Sequence, residues 1–180
     1  LSDLVEINQF EQGKVSYSIE NIRADDLLQR IIQDMQPYAN KKNINIKFEN
    51  RLKDHTIDSD MDKFEKIFSN LVSNAVKFSP FGKKIIIKAS DFIDKFDERE
   101  FVRVEVIDEG PGLTNDDKRK LFQKFAKLSA KPTNNESSTR LGLSIVKNIV
   151  DSLKGRIRCD SQPGKGSNFI VELPKNNNHL

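Results

Sequence analysis

The segment from Met61 to Phe78, MDKFEKIFSNLVSNAVKF, constrains the fold more than any other part of the sequence. At about 100° per residue, its apolar side chains share one stripe of a helix: Phe64, Ile67, Phe68, Leu71, Val72 and Ala75. Such a stripe needs a second layer of structure to cover it. Asp60 is a suitable N-cap, and the segment Ser79-Pro-Phe-Gly82 is a suitable stop. We therefore expect an amphipathic helix over 61–78 that packs on another layer.

Helical and strand patterns are mixed along the rest of the chain. The spacing of apolar residues predicts helices over 1–12, 24–40 and 143–153. Alternation predicts strands near 15–19, 44–48, 85–87 and 101–107, and a hairpin from 156–159 and 168–173. This order predicts an α+β fold: a two-layer α/β sandwich with a mixed sheet and helices on one face. The polar stretch 113–139 is longer than most loops, which is typical of a lid or a linker.

The composition excludes several functional classes. The chain has 180 residues, enough for one domain with a core, and its net charge of +3 is too small to indicate a nucleic-acid partner. Its apolar runs stay short of the roughly 18 residues of a membrane-spanning helix. A single cysteine, Cys159, excludes a disulfide framework and a cysteine metal cluster. Because Cys159 alternates with Arg156 and Arg158, it is expected to be a small core residue.

Three polar residues fall in a row along one edge of the apolar stripe of the central helix. Asn70, Asn74 and Lys77 are spaced by four and three, so their side chains lie on adjacent turns. Helix propensity does not explain the two asparagines. Side-chain carbonyl oxygens suit a hard cation such as Mg²⁺, and a nearby lysine suits phosphates carried by that cation. The alternative is the solvated edge of an ordinary amphipathic helix, and the row alone does not separate the two.

An acidic residue ends one of the predicted strands, in the stretch VEVIDEGPGL at 104–113. Asp108 has the same parity as Val104 and Val106, so it should point to the buried side of the strand. A buried carboxylate needs a partner, which belongs to the protein or arrives with a ligand such as the exocyclic amine of adenine. Gly110 and Gly112 would let the backbone approach such a ligand, although D-E-G-P-G is also ordinary turn chemistry.

Two more glycine-containing clusters follow. The stretch from Ser137 to Gly142, SSTRLG, lies directly before the last predicted helix. Amides and hydroxyls at a helix start can bind an anion, whereas the simpler interpretation is a Ser or Thr cap. The cluster Gly164-Lys-Gly166 is most simply a hairpin turn.

These segments together resemble the catalytic ATP-binding domain of sensor histidine kinases. That family belongs to a superfamily with DNA gyrase, the ninety-kilodalton heat-shock chaperone and the MutL mismatch-repair proteins. FSNLVSNAVKFSP at 68–80 matches the N box, and DEGPGL at 108–113 matches the first glycine box. LFQKFAKLS at 121–129 matches the F box, and STRLGLSIVK at 138–147 matches the second glycine box. The order and spacing of the four carry the resemblance, which covers nearly the whole chain.

The resemblance implies a sandwich that holds ATP and Mg²⁺ between its helices and a mobile lid. The residues that it assigns to catalysis are Asn70, Asn74 and Lys77, and the metal is assigned to Asn70 and Asn74. The residues that it assigns to the nucleotide and the lid are Phe78, Asp108, Gly110, Gly112, Phe122, Phe125, Thr139, Arg140, Leu141, Gly142 and Leu143. Within this set, Asp108 would receive the adenine amino group.

The resemblance also implies transfer of the γ-phosphate to a histidine rather than to water. Related ATPases place a glutamate one turn before the key asparagine, where it activates water, but this chain has Asn70 there. An amide cannot act as a general base near neutral pH. Glu65 lies on a different face of the helix by the wheel count. We therefore expect slow hydrolysis, with the γ-phosphate kept for a nucleophile on another domain.

The domain organisation implied by the resemblance has three parts. Residues 1–13 would be the end of a dimerisation helix, 14–174 the catalytic domain and 175–180 a disordered tail. The alternative for the first part is a terminal helix that packs on its own domain. The phosphoacceptor histidine would lie before residue 1, since neither His55 nor His179 has a matching motif. The implied partners are a histidine-bearing dimerisation domain, from the same or a partner chain, and the receiver domain of a response regulator. The implied location is cytoplasmic, with a dimeric, membrane-attached parent and a monomeric fragment.

The second glycine box departs from the family pattern G-x-G-L-G-L. This chain has Ser138-Thr-Arg-Leu-Gly-Leu143, so two glycines are absent and Arg140 occupies the second place. Its side chain would block close backbone approach to phosphate, or would bind phosphate through its fork of donors. Asn134 and Asn135 stand where similar proteins carry glycines. These departures leave a second hypothesis, a weakly nucleotide-binding domain that acts as a signalling or interaction module.

Overall fold

The computed structural model describes residues 3–133 and 141–176. Its helices are α1 (Asp3–Glu11), α2 (Ala24–Lys41), α3 (Met61–Phe78), α4 (Asn115–Lys120) and α5 (Gly142–Ser152). Its strands are β1 (Ile19–Arg23), β2 (Asn45–Arg51), β3 (Thr56–Asp60), β4 (Lys84–Ile93), β5 (Glu100–Asp108), β6 (Arg156–Ser161) and β7 (Ser167–Pro174). The central helix has the predicted bounds, and the Asp60 carboxylate caps it by accepting from the Lys63 N–H at 2.9 Å.

Five strands form one mixed sheet in the order β2-β4-β5-β7-β6. The pair β2–β4 is parallel, whereas the other neighbouring pairs are antiparallel. The strands β1 and β3 form a separate antiparallel ribbon. The predicted α+β class with a mixed sheet is confirmed. β7 is the last strand in the sequence, but it lies inside the sheet between β5 and β6.

One hydrophobic core joins the helices to the sheet. The stripe of α3 is buried as predicted, and the rings of Phe64 and Phe68 lie 4.6 Å apart between centroids. Val104 and Val106 of β5 and Ile145 of α5 are buried in the same core. Each such side chain stabilises the fold by about 1.5–3 kcal/mol relative to exposure. The core thereby holds α3 and the end of β5 in fixed relation.

The structure differs from the sequence prediction where strands are short and polar. The first strand runs over 19–23 rather than 15–19, and β3 was not predicted because its sequence, TIDSD, carries too few apolar residues. The polar stretch after 113 contains the short helix α4, whose charged sequence NDDKRK has no apolar period. Lys175, placed by the prediction in a disordered tail, is buried and pairs with Asp91 at 2.5 Å. Residues 177–180 of that tail lie outside the described residues.

Cys159 of β6 is half-buried and packs against the core, as predicted. Burial raises the pKa of its thiol to about 12, so the sulfur stays protonated and unreactive near neutral pH.

The predicted first helix is present as α1, and it packs on the domain. Ile7 is buried, and Glu6 lies 3.4 Å from Lys63 and 3.3 Å from Lys66 of α3. Leu4 and Val5 are exposed. Among the described helices, none combines the length and the apolar character that crossing a membrane requires.

Candidate functional site

Two adjoining cavities lie between α3, the end of β5, the start of α5 and residues 121–133, which we call the lid segment. The inner cavity has a volume of about 440 Å³ and the outer cavity about 1140 Å³, both counted with their open mouths. They share the lining residues Asn74, Phe78, Leu121, Leu128, Ala130 and Leu143. The inner cavity is mostly apolar with Asp108 in its wall, whereas the outer cavity adds three amides and three lysines to its apolar lining residues. The two therefore form one site with an apolar half and a polar half.

The row of polar residues on α3 faces the outer cavity. Asn70, Asn74 and Lys77 all line it, as their helical spacing predicted. The Asn70 Nδ2 donates to the Lys66 carbonyl at 2.8 Å, which leaves its Oδ1 directed elsewhere. That Oδ1 lies against Gly142, where an added Cβ would stand only 2.7 Å away. The amide oxygen of Asn70 is thus presented at the start of α5, in a donor set that suits a hard cation.

The C-terminal end of α3 is held by two residues that the sequence analysis missed. The Lys42 side chain is 1% exposed, and its ammonium donates to the carbonyls of Val76 at 2.5 Å and Lys77 at 3.1 Å. A cation on the last carbonyls of a helix also complements the helix dipole. Thr133 donates from its N–H and its hydroxyl to the same Lys77 carbonyl, each at 3.1 Å. This end of α3, which carries Lys77 and Phe78, is therefore fixed in place.

Asp108 lies in the wall of the inner cavity, on the buried side of β5 as the alternation predicted. It is 8% exposed. Its Oδ1 accepts from the N–H of Gly110 at 2.8 Å and of Ser167 at 3.3 Å. Burial raises the pKa of this carboxyl to about 6, although the two N–H donors act in the opposite direction. A carboxylate held through one oxygen beside an apolar cavity can accept a donor from a flat heterocycle.

Two glycines let the turn between β6 and β7 pack tightly against the end of β5 and the segment that follows it. Gly112 has a φ of +69°, and a Cβ there would stand 2.0 Å from the Gln162 carbonyl oxygen. Gly166 has a φ of +77°, and a Cβ there would stand 2.0 Å from the Asp108 carbonyl oxygen. Gly112 was expected to shape a pocket, but Gly166 was read only as part of a hairpin turn. The sequence G-K-G at 164–166 does not indicate that Gly166 lies against the backbone of Asp108.

The lid segment contributes side chains to both cavities. Leu121 and Leu128 line both, while Lys127 and Lys131 line the outer cavity. The two lysines were missed, although basic residues recur through this stretch of the sequence. Phe122 is half-buried against the core, but Phe125 is 59% exposed with a φ of +56°. Neither phenylalanine is among the described residues that line the two cavities, and their expected role as anchors of the lid stays a prediction.

The start of α5 closes the site on the far side. Gly142 lines the outer cavity and Leu143 lines both, while Leu141 is buried beside them. The N-cap residue of α5, Leu141, makes no side-chain cap hydrogen bond, so the first N–H groups of the helix have no described side-chain acceptor. Thr139 and Arg140 lie outside the described residues, as do Asn134 and Asn135.

The comparison with protein families gives one match over most of the chain. Residues 59–177 match the family described as histidine kinase-, DNA gyrase B-, and HSP90-like ATPase. The matched range contains every residue that lines the two cavities.

Individual proteins of similar sequence are sensor kinases. The autoinducer 2 sensor kinase/phosphatase LuxQ of Vibrio parahaemolyticus is 32% identical over 177 residues, which is 97% of this chain and 20% of LuxQ. The sensor histidine kinase WalK of Bacillus subtilis is 30% identical over 176 residues, which is 97% of this chain and 28% of WalK. The chain thus spans a fifth to a little over a quarter of these relatives.

Solved structures share the fold. Full-length ShkA in complex with AMPPNP superposes with a TM-score of 0.80 at 26% identity, over 96% of this chain and 34% of ShkA. The nucleotide-free catalytic domain of the histidine kinase ThkA superposes with a TM-score of 0.75 at 27% identity, over 89% of this chain and 97% of that domain.

Proposed function

Because this chain belongs to the family of histidine kinase-, DNA gyrase B- and HSP90-like ATPases, we propose that it is the ATP-binding catalytic domain of a sensor histidine kinase. It donates the γ-phosphate of ATP to a histidine of a dimerisation domain. The observation that carries this proposal is the pairing of the two cavities, one apolar with Asp108 in its wall and one lined by Asn70, Asn74 and Lys77.

The inner cavity suits the adenine ring. Its walls are mostly apolar, and the Asp108 carboxylate in one wall would accept a hydrogen bond from the exocyclic amine. Guanine presents a carbonyl oxygen at the corresponding position, which an ionised carboxylate repels. Phe78 lies at the border of the two cavities, where the ribose would sit.

The outer cavity suits the triphosphate. Lys77 of α3 and Lys127 and Lys131 of the lid segment bring positive charge to it. The amide oxygens of Asn70 and Asn74, which both line this cavity, are hard ligands of the kind that Mg²⁺ accepts. When bound, the metal neutralises phosphate charge. The protein then contributes orientation and electrostatic stabilisation, which are the main protein effects in phosphoryl transfer.

The site favours transfer over hydrolysis. The general-base position of the related ATPases is occupied by the Asn70 amide, which already donates to the Lys66 carbonyl. Glu65 points away from the cavities, because its carboxylate pairs with Arg30 of α2 at 3.2 Å. No other base is needed if the acceptor is a histidine nitrogen, whose own lone pair attacks the phosphorus in line with the departing ADP.

The proposal extends to partners and location through the relatives. LuxQ and WalK are named sensor kinases, so we place a histidine-bearing dimerisation domain and a response-regulator receiver domain as successive phosphate acceptors. A donor that uses ATP belongs in the cytoplasm. The competing function, a weakly nucleotide-binding signalling module, depends on Arg140. Nucleotide titration of Arg140→Gly tests it directly. A large gain in affinity would support the signalling module, whereas a loss would make Arg140 a phosphate ligand.

Phosphate transfer in trans is the test of the proposed function. The chain is mixed with labelled ATP, Mg²⁺ and a separately purified histidine-bearing dimerisation domain from a sensor kinase. We expect acid-labile, base-stable label on that domain, and very slow release of inorganic phosphate when the chain is incubated alone. Fast hydrolysis by the chain alone, lost in Asn70→Ala, would show that the site activates water and would overturn the assignment to transfer.

The pH dependence of nucleotide affinity tests the role of Asp108. Because burial raises the pKa of Asp108 to about 6, its carboxylate is fully ionised only above that pH. We expect the affinity for MgADP, measured by calorimetry from pH 5 to 8, to fall as the pH decreases through 6. In Asp108→Asn this fall in affinity near pH 6 should vanish, and the pH dependence that remains reports protonation of the nucleotide phosphates. Identical profiles for the two proteins would remove Asp108 from the adenine site.

The same raised pKa has a consequence for stability. The folded chain holds the Asp108 proton more tightly than the unfolded chain, whose aspartate pKa is about 3.9. This group therefore stabilises the fold below pH 4, and its contribution is lost as the pH rises towards 6. Asp108→Asn should consequently unfold with less pH dependence between 4 and 6 than the wild type.

A further inference from the structure

We propose that Asp117 is a positioning residue of the lid segment. Its carboxylate fastens Ser129 to the base of α4, so that the wall of the nucleotide site is assembled before the nucleotide arrives. This inference rests on the proposed function, which it deepens by naming the group that holds the lid in place.

The carboxylate of Asp117 joins two parts of the chain. On one side, its Oδ2 accepts from the N–H of Thr114 at 3.1 Å and from the Thr114 hydroxyl at 2.9 Å. On the other side, its Oδ1 accepts from the N–H of Ser129 at 2.9 Å, and its Oδ2 accepts from the Ser129 hydroxyl. Asp117 also belongs to the capping box of α4, since its N–H donates to the Thr114 hydroxyl at 3.1 Å.

The surroundings of Asp117 make these contacts strong. The residue is only 4% exposed, and its described hydrogen-bond donors are the neutral groups of Thr114 and Ser129. Burial acts to raise the pKa of the carboxyl, but the hydrogen bonds outweigh it and lower the pKa to about 2. The group is therefore a carboxylate at any physiological pH, and hydrogen bonds to a charged acceptor are stronger than neutral ones.

The residues between Asp117 and Ser129 form the wall of the site. Leu121 and Leu128 line both cavities, and Gln123 and Lys127 line the outer one. By drawing Ser129 back to the base of α4, Asp117 closes this stretch into a loop with fixed ends. Without that closure, the binding of nucleotide would have to offset the entropy lost when the loop becomes ordered, and the affinity would be weaker.

A second attachment holds the far end of the lid segment. The Thr133 hydroxyl donates to the carbonyl oxygens of Lys77 and Ser79 at the end of α3, with a distance of 3.1 Å to each. The lid segment is thus tied to α4 at Ser129 and to α3 at Thr133. Loss of Asp117 should release the stretch before Ser129 and leave the Thr133 attachment intact.

Trypsin cleavage without nucleotide tests the attachment directly. Lys124 and Lys127 lie in the loop, so the rate of cutting after them reports how often it opens. For Asp117→Ala we expect this rate to rise about tenfold or more, while other sites are cut as in the wild type. The matched control is Asp116→Ala: its neighbouring carboxylate is exposed and pairs with Arg119 and Lys120 of its own helix. The cleavage rate of Asp116→Ala should stay within about twofold of the wild-type rate, because exposed ion pairs contribute little to stability.

Nucleotide affinity supplies the second readout. We expect Asp117→Ala to bind MgATP about tenfold more weakly, with Asp116→Ala unchanged and with Ser129→Ala between them, since that variant keeps the backbone donor. Equal cleavage of Asp117→Ala and Asp116→Ala would overturn the proposal. So would cleavage that accelerates over the whole chain together with a lower melting temperature, because Asp117 would then only stabilise the fold. If the wild type binds no nucleotide while the contrast in cleavage persists, the proposed function fails and the attachment stands.

Discussion

Replacing Gly166 with alanine is expected to disrupt the site and strongly destabilise the fold. Gly166 has a φ of +77°, and a Cβ there would lie 2.0 Å from the Asp108 carbonyl oxygen and 3.0 Å from the Glu109 Cα. These neighbours are backbone atoms at the end of the buried strand β5, so relief requires movement of β5 or of the turn before β7. Left-handed strain and overpacking together cost about 3 kcal/mol or more.

Gly164→Ala is the matched control for Gly166→Ala. Gly164 has nearly the same φ, +78°, but nothing lies within 4 Å of its added Cβ. Both variants therefore carry similar backbone strain of about 1–2 kcal/mol, and only Gly166→Ala adds the clash. Urea denaturation measures the free energy of unfolding of each, and MgADP titration measures the site. Equal losses in the two variants would show that the close approach to Asp108 is unimportant.

Replacing Asn74 with alanine is expected to abolish nucleotide-dependent activity while leaving the fold intact. Asn74 lines both cavities and stands between the proposed adenine and phosphate positions. Its loss removes an amide from the proposed metal and phosphate contacts without opening the core, because Asn74 lies at the edge of the stripe of α3. We expect phosphate transfer in trans to fall about hundredfold or more, which corresponds to about 2.7 kcal/mol of lost stabilisation.

Asn40→Ala is the control for Asn74→Ala. Asn40 is also a helical asparagine, but it is exposed near the end of α2, where its Oδ1 accepts from Gln36 at 2.7 Å. This variant should transfer phosphate at the wild-type rate. Circular dichroism and thermal melting of Asn74→Ala should match the wild type within a few degrees. Full transfer by Asn74→Ala would exclude the amide row as the phosphate side of the site.

Local patterns predicted the parts of the site that lie within single elements. The helical period of 61–78 placed Asn70, Asn74 and Lys77 on one edge, and alternation in β5 placed Asp108 on the buried side. Both predictions succeeded because each depends on residues within a few positions of one another. The mixed sheet was predictable for the same reason, since most of its strands carry strong apolar alternation.

Contacts between distant segments were not predictable from local pattern. Lys42 reaches the end of α3 from 34 positions away, and Asp117 reaches Ser129 across 12. In the run NKKN at 40–43, nothing distinguishes the buried Lys42 from the lysine before it. In NDDKRK at 115–120, the two aspartates look equivalent, although Asp117 is buried and Asp116 is exposed. The close contact of Gly166 was equally hidden, because the backbone atoms that leave no room for a Cβ there belong to the end of β5 and not to its own turn.

The position of β7 has a consequence for folding of the chain during its synthesis on the ribosome. This strand completes the middle of the sheet, and its first residue, Ser167, supplies one of the two N–H groups that hold Asp108. A nascent chain that has emerged only as far as α5 therefore exposes the open edge of β5 and has no finished purine pocket. Affinity for the nucleotide should appear in a single step, when the hairpin of β6 and β7 leaves the exit tunnel and β7 pairs with the open edge of β5.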